Sequence, residues 1–216
     1  MSGIAQQLIR IKESLPQGVE LVAVSKFHPV ESLKEAYDAG QRIFGESRVQ
    51  EVSQKYEFMP DDVKWHFIGH LQTNKVKYLV GKVDLIHSVD SVHLAEVISQ
   101  TAVKKGVTQN ILIEVNVGGE LSKSGVTVQN ALQVIKEIAL LPNLSVLGLM
   151  AMLPKSQDQN YLAELCLTMR SLFDKIKEQG YPLTYLSMGM SGDYEVAIQN
   201  GSNMIRLGRT IFGERM

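Results

Sequence analysis

A lysine stands at the end of a short apolar run near the start of the chain. The run, Glu20 to Ser25, is mostly aliphatic, and Lys26 follows it directly. Such a run is typical of a strand buried on both faces of a parallel sheet, whose end lies where α/β proteins bind ligands. A lysine that is desolvated there can lose its proton and attack a carbonyl carbon, forming a Schiff base. Strand-end lysines more often simply extend into solvent. The rest of the chain must therefore decide whether Lys26 is a reactive amine or a solvated side chain.

Two glycine-rich segments near the C-terminus favour a phosphate ligand. They are Met188-Gly189-Met190-Ser191-Gly192 and Leu207-Gly208-Arg209-Thr210, each at a strand end where a short helix should begin. Barrels of alternating strands and helices commonly bind phosphate after strands 7 and 8. Glycine lets the backbone approach the phosphate closely, and the hydroxyls of Ser191 and Thr210 can donate to it. Together with Lys26, these loops predict pyridoxal 5′-phosphate (PLP), a phosphorylated aldehyde.

Arg206 lies in the last strand, two residues before the second glycine segment. If it points inward, it can donate to the pyridine nitrogen of the cofactor. A permanently cationic guanidinium disfavours protonation of that nitrogen and weakens the ring as an electron sink. The residue therefore favours modest carbanion chemistry or none. The alternative is a salt bridge at the barrel rim.

The elements that must position these residues alternate regularly along the chain. Apolar runs and amphipathic stretches predict eight strands separated by helices, with one further helix, Ile4–Ser14, before the first strand. The predicted strands are Glu20–Ser25, Arg42–Gly45, Trp65–Gly69, Leu85–Ser88, Ile111–Val117, Val146–Ala151, Tyr185–Gly189 and Met204–Gly208. This pattern predicts an α/β fold, a (β/α)8 TIM barrel forming a single domain over residues 1–216, with an open doubly wound sheet as the alternative.

Other strand ends add polar and small side chains to the same predicted rim. Ser187, Met150 and Asn116 stand at the ends of the seventh, sixth and fifth strands, and we expect them beside the cofactor. Serine and asparagine are common in loops for reasons unrelated to ligands, so these three assignments depend on the barrel.

Composition excludes several classes of function. The net charge of −1 gives no surface suited to nucleic acid or to an anionic membrane, and no apolar run is long enough to span a bilayer. The single cysteine, Cys166, excludes an internal disulfide and has the setting of a buried thiol on a helix. Met1 to Leu15 is charged and amphipathic, unlike a signal peptide, so we expect a cytoplasmic protein.

The histidines do not predict a metal site. His66 and His70 are separated along a strand, and no cluster has zinc-ligand spacing. We expect His66 inside the barrel and His70 at its rim, with His28, His87 and His93 in solvent.

Several blocks of the sequence resemble the YggS/PROSC family of pyridoxal phosphate homeostasis proteins. They cover nearly the whole chain in order: Ala23–Lys26, Phe44–Glu46 with Val49–Glu51, Trp65–Lys75, Glu114–Asn116 with Ser122–Gly125, Gly148–Ala151, Leu186–Ser191 and Ile205–Gly208 with Ile211–Gly213. The Trp65–Lys75 and Ser187–Ser191 blocks are highly specific.

The resemblance implies a barrel like the N-terminal domain of alanine racemase, with PLP bound as an aldimine on Lys26. Ser191, Gly208 and Arg209 then hold the phosphate, and Arg206 faces the pyridine nitrogen. This chain departs from the family pattern at two places. Ser47-Arg48 replaces the usual Asn-Tyr, and Arg209 replaces a Ser or Thr whose hydroxyl commonly contacts phosphate.

The resemblance also implies vitamin B6 and amino-acid homeostasis without an established catalytic activity. We therefore expect a cofactor carrier or regulator, a monomer, with apo PLP-dependent enzymes as its acceptors. A weak amino-acid racemase is the second hypothesis. Alanine racemase takes its second base from an additional domain, and Tyr78, Tyr185 and Tyr194 are the candidate replacements in this chain. A sugar-phosphate enzyme using Lys26 as an aldolase-type amine is the third.

Overall fold

The computed structural model describes residues 3–120 and 123–214 as strands that alternate with helices. The strands are β1 Glu20–Val24, β2 Ile43–Glu46, β3 Lys64–Phe67, β4 Leu85–Val89, β5 Gln109–Glu114, β6 Leu144–Met150, β7 Tyr185–Ser187 and β8 Met204–Leu207. The helices are α1 Gly3–Ser14, α2 Val30–Asp38, α3 Val49–Tyr56, α4 Val76–Leu79, α5 Val92–Lys105, α6 Ala131–Ile138, α7 Gln159–Glu178, α8 Tyr194–Gln199 and α9 Arg209–Phe212. All eight predicted strands are confirmed, with ends that differ by one to three residues.

The sheet closes on itself. Every strand pairs in parallel with the next one along the chain, and β1 pairs with β8, where Val22 lies opposite Arg206. This pairing confirms the predicted barrel and excludes the open doubly wound sheet. Closure places the C-terminal ends of all eight strands around a single rim.

The apolar core has two parts because residues in a barrel strand alternate between its two faces. The larger part fills the space between strands and helices and includes Phe44, Phe67 and Cys166, all buried. The smaller part lies inside the barrel and consists of Val22, Leu85, Leu112, Met150 and Met204. The expectation of a buried thiol is thus confirmed, and burial raises the pKa of Cys166 to about 11.

The amphipathic stretches Gln72–Val80 and Val128–Leu141 of the sequence predict helices, and both helices are shorter in the structure. The segment 72–80 forms a 3₁₀ turn, Thr73–Lys75, before α4 begins at Val76. α6 begins at Ala131 rather than Val128, because residues 128–130 form turns in which the Asn130 N–H bonds back to the Thr127 carbonyl.

α5 has a residue suited to each of its two ends. The Ser91 hydroxyl accepts the Leu94 N–H at 3.3 Å, and Gly106 ends α5 in the left-handed region with φ 65°. No helix in the described part of the chain combines the length and the apolar character needed to cross a membrane.

We expect Gly148→Ala to lower the free energy of unfolding by about 3 kcal/mol, because an added Cβ has no room. Gly148 pairs with Tyr185 across β6 and β7, and its Cβ would stand 1.8 Å from the Tyr185 carbonyl oxygen. Urea unfolding followed by circular dichroism measures the change.

Gly118→Ala is the matched control. A Cβ there meets its nearest atoms at 3.6 Å or more, an ordinary contact, so stability should change by less than about 0.5 kcal/mol. Equal effects of the two substitutions would contradict the close packing of β6 on β7.

Candidate functional site

A cavity of about 750 Å³ opens at the C-terminal rim of the barrel. It brings together five of the eight residues predicted for the cofactor: Lys26, Ser191, Arg206, Gly208 and Arg209. The volume is within the range of pockets that hold a cofactor-sized molecule.

The other three predicted residues do not line this cavity. Ser187 is fully buried and bonds to Arg206, so it lies behind the cavity wall. Met150 packs in the small apolar cluster inside the barrel. The Asn116 amide donates to the carbonyls of Glu120 and Lys123 and so holds the loop after β5.

Lys26 enters the cavity from the turn that follows β1. The lysine is partly buried, and Phe27 after it has a φ of 67°, which is unusual for a bulky residue. The Ser25 carbonyl accepts the His28 N–H at 3.1 Å and closes the turn. The chain therefore reverses sharply at the residue that carries the amine.

A buried ion cluster supports this turn. The Lys55 ammonium donates to Glu46 Oε1 at 2.7 Å and to Glu51 Oε2 at 2.8 Å. The Ser25 hydroxyl also donates to Glu46 Oε1, at 2.7 Å. Burial raises the pKa of Glu46, and Lys55 and Ser25 oppose that shift. For Glu51, burial is opposed by bonds from Lys55 and from the Phe27 N–H, and the net result is a lowered pKa.

Arg206 points into the barrel, the orientation in which it could contact the cofactor. Its hydrogen-bond acceptors are neutral oxygens rather than the carboxylate of a rim salt bridge. Nη1 donates to the Ser187 carbonyl at 2.9 Å and to the Ser187 hydroxyl at 2.7 Å, and Nη2 donates to the Ala151 carbonyl at 3.0 Å. Burial lowers the pKa of Arg206 to about 10, so the guanidinium remains a cation at neutral pH.

A series of hydrogen bonds continues from Arg206 across the barrel interior. The Ser187 hydroxyl lies 3.3 Å from His87 Nδ1, and His87 Nε2 lies 3.0 Å from His66 Nδ1. The Ser187 hydroxyl accepts from Arg206, and its own proton can be donated to His87 Nδ1. In that tautomer His87 Nε2 carries the proton and donates to His66 Nδ1.

Both histidines of this hydrogen-bonded series are buried and neutral. Burial lowers the pKa of His66 to about 3 and that of His87 well below its ordinary value. The expectation that His66 lies inside the barrel is confirmed, and so is the expectation that His93 is exposed. The expectation that His87 and His28 are solvated is wrong: His87 faces the barrel interior, and His28 stacks on Phe212.

Glycines shape the ends of β7 and β8, and β8 lies next to β1, the strand that precedes Lys26. Gly189 has a φ of 96°, and a Cβ there would stand 2.8 Å from the Tyr194 Cα, so only glycine fits this turn. A Cβ on Gly208 would stand 3.2 Å from the Val24 carbonyl oxygen. Ser191 and Arg209 follow these turns and line the cavity. Their role in binding phosphate stays a prediction.

Sequence reasoning missed part of the wall. Ser47 lines the cavity directly after β2, a position that the strand-end rule identifies. Met152 and Lys155 come from the loop after β6, where no pattern indicated a role. Across residues 3–120 and 123–214, no three His, Cys, Asp or Glu side chains form a group suited to a metal ion.

Comparison with known proteins places the chain among relatives of similar length. The family described as "Alanine racemase, N-terminal domain" matches residues 1–216. A pyridoxal phosphate homeostasis protein of Aquifex aeolicus (strain VF5) is 46% identical over 198 residues, covering 91% of this chain and 87% of that protein. The chain belongs to the pyridoxal phosphate homeostasis protein family. The resemblance seen in the motifs is thereby confirmed.

A solved member of the family shares the whole fold. PipY of Synechococcus elongatus PCC7942, solved with PLP bound, superposes with a TM-score of 0.89 at 35% identity, covering 97% of this chain and 100% of that one. Alanine racemase of Clostridium difficile 630 superposes with a TM-score of 0.82 at 16% identity, covering 98% of this chain and 56% of that chain. The second comparison shows a common barrel fold.

The two departures from the family pattern both lie near the cavity. Ser47 and Arg209 line it, while the Arg48 guanidinium stacks on the Phe27 ring, 4.5 Å from its centroid. Ser122, which belongs to one of the family motifs, lies outside the described residues.

We expect the buried histidines to make the protein sensitive to acid. Below the ordinary imidazole pKa of 6.5, the unfolded chain binds protons that folded His66 does not bind until about pH 3. Stability therefore falls as pH falls through this window, by up to about 1.4 kcal/mol per pH unit for each such histidine. His87→Gln should make this slope shallower, whatever its effect at pH 7.

Urea unfolding at pH values from about 7 to about 4.5 measures the slope. His93→Gln, an exposed site, is the control and should leave the slope unchanged. An unchanged slope in His87→Gln would mean that His87 is protonated in the folded protein.

Proposed function

We propose that this protein binds PLP in the rim cavity, with Lys26 as the Schiff-base lysine, and that it serves intracellular PLP homeostasis as a carrier. One observation carries the proposal: a single cavity holds an amine, a buried cation and a glycine-lined wall, from Lys26, Arg206 and the Ser191 and Gly208 loops. PLP has a group to match each of these features: its aldehyde matches the amine, its ring nitrogen matches the cation, and its phosphate matches the glycine-lined wall.

The residues present fit this cofactor. Gly208 lines the cavity without a side chain, and Ser191 and Arg209 supply a hydroxyl and a positive charge for the phosphate. Arg206 has a guanidinium fixed by three bonds and directed into the same cavity, where it can donate to the pyridine nitrogen. Its retained charge disfavours a proton on that nitrogen.

When bound, PLP would supply an aldehyde that condenses reversibly with an amine, with loss of water and without oxidation or reduction. Lys26 is the amine that the cavity provides for it. Hydrolysis reverses the step, so the same lysine can release the cofactor to an acceptor, for which we propose apo PLP-dependent enzymes.

The positions of the tyrosines support a carrier over a racemase. A racemase needs a second base across the cavity from the lysine. Tyr185 bonds to Glu20 at 3.4 Å at the start of β7, Tyr194 bonds to Glu195 at 3.1 Å, and Tyr78 is exposed on α4. None of these three tyrosines is among the cavity-lining residues of the described chain.

We further propose that the protein acts in the cytoplasm as a monomer, in keeping with a free and buried Cys166.

We expect the purified protein, alone or after addition of PLP, to show a yellow absorbance band that borohydride abolishes. Peptide mass mapping should then find a pyridoxyl adduct on Lys26, because the reduced C–N bond is permanent. Lys26→Ala should show neither the band nor the adduct. No band with added PLP, and trapping only with a ketose or aldose, would instead support the sugar-phosphate hypothesis.

A panel of free amino acids incubated in deuterated water separates carrier from racemase. A carrier should leave the α-proton unexchanged. Exchange by the wild-type protein that is lost in Lys26→Ala would overturn the carrier proposal.

We expect Arg209→Ala to raise the Kd for PLP by about tenfold, because a charge-assisted contact to phosphate is lost. The Kd for pyridoxal, which lacks the phosphate, should not change. Arg209→Ser introduces a hydroxyl at this position and should recover part of the affinity for PLP. Equal losses for the two ligands would place the phosphate away from Arg209. Equilibrium dialysis measures both.

A further inference from the structure

Both peptide groups that flank Lys26 bond to the same buried cluster. The carbonyl of the Ser25–Lys26 peptide accepts from Lys55 Nζ at 2.9 Å. The N–H of the Lys26–Phe27 peptide donates to Glu51 Oε2 at 2.8 Å. These peptides define φ and ψ of Lys26, so the cluster fixes the direction in which the amine-bearing side chain leaves the backbone.

Lys55 uses its full bonding capacity for this arrangement. An ammonium has three donors, and Lys55 directs them to the Ser25 carbonyl, Glu46 and Glu51. The side chains of Lys55 and Glu46 are almost completely buried, with exposed fractions of 7% and 0%. The Lys55 ammonium is thus fully paired, whereas Glu46 Oε2 and Glu51 Oε1 are buried without a hydrogen-bond partner. Removing Lys55 would leave both carboxylates without their cation, so this pairing is costly to break.

The turn after Lys26 needs an external support. Phe27 has a φ of 67°, which an L-residue with a bulky side chain adopts only when its surroundings hold it there. Its N–H bond to Glu51 and the stacking of Arg48 on its ring supply that support. These contacts join the turn after β1 to α3.

We infer that Glu46, Glu51 and Lys55, which we call the lysine clamp, position Lys26 for attack on the cofactor aldehyde. The inference rests on the proposed function and adds three positioning residues to it. Each acts on the reaction only through the backbone of residues 25–27. Loss of the lysine clamp should therefore slow Schiff-base formation and leave recognition of the phosphate and ring intact.

Two ligands separate these effects. PLP reports both recognition and reaction with Lys26, whereas pyridoxine 5′-phosphate has an alcohol in place of the aldehyde and reports recognition alone. For Lys55→Met and Glu51→Ala, we expect the rate of appearance of the Schiff-base band with PLP to fall by about tenfold or more. The Kd for pyridoxine 5′-phosphate should stay within about twofold of wild type.

Glu51→Gln is the conservative rescue. Its amide oxygen can still accept the Phe27 N–H, so the rate should recover toward wild type, which a general loss of stability in Glu51→Ala would not explain. Glu51 lies near the surface in the first turn of α3, so Glu51→Ala keeps the test valid if Lys55→Met does not fold. Lys34→Met, on the exposed side of α2, is the matched control for Lys55→Met and should react at the wild-type rate.

The outcomes are distinct. Wild-type reaction rates in both folded clamp variants would overturn the inference, and so would parallel losses of PLP reaction and pyridoxine 5′-phosphate affinity. Slow reaction with retained affinity, restored in Glu51→Gln, supports it. Failure of the wild-type protein to form an adduct on Lys26 would instead overturn the proposed function itself.

Discussion

The rim of this barrel depends on the cost of burying a positive charge without partners. Lys55 and Arg206 are both buried cations, and each is satisfied by bonds to oxygens at or just beyond strand ends. The carbonyls of Ser25, Ala151 and Ser187 belong to the backbone segments that form the cavity wall. The hydrogen bonds that satisfy the two buried cations therefore also hold the backbone of the cavity wall in place.

This need to satisfy buried cations gives the barrel interior polar side chains beside apolar ones. The apolar cluster around Leu112 and Met204 stabilises the barrel by ordinary burial. Next to this cluster, Arg206, Ser187, His87 and His66 occupy space that aliphatic side chains would fill at lower desolvation cost. Polar networks of this kind are retained where a protein gives up stability for a fixed functional geometry. Here the group that they orient is a guanidinium on the cavity wall.

The fold could be predicted from the sequence because alternation of apolar runs and amphipathic stretches is a local signal. The places of Lys26, Ser191 and Gly208 at the cavity could be predicted because each lies within two residues of the end of such a run. His87 was misplaced because inward and outward positions of a strand that is buried on both faces look alike until the barrel closes. Lys55 was missed for a related reason: its i, i+4 spacing from Glu51 is typical of an exposed helical ion pair. Only the packing of α3 on the turn after β1 reveals that the pair is buried, and that packing is set by distant residues.

The proposed place of Arg206 also bears on the choice between carrier and enzyme. An enzyme that removes an α-proton needs the cofactor ring to accept electrons, and a guanidinium held at the ring nitrogen, as we propose for Arg206, would oppose this. It also needs bases on two sides, whereas the candidate tyrosines for the second role lie away from the cavity. A carrier needs only a lysine at a reproducible position, reversible condensation with an aldehyde, and an opening through which the cofactor leaves. Lys55 holds the backbone beside Lys26, and Arg206 lies on the neighbouring strand β8. The proposed carrier role uses both of these buried cations.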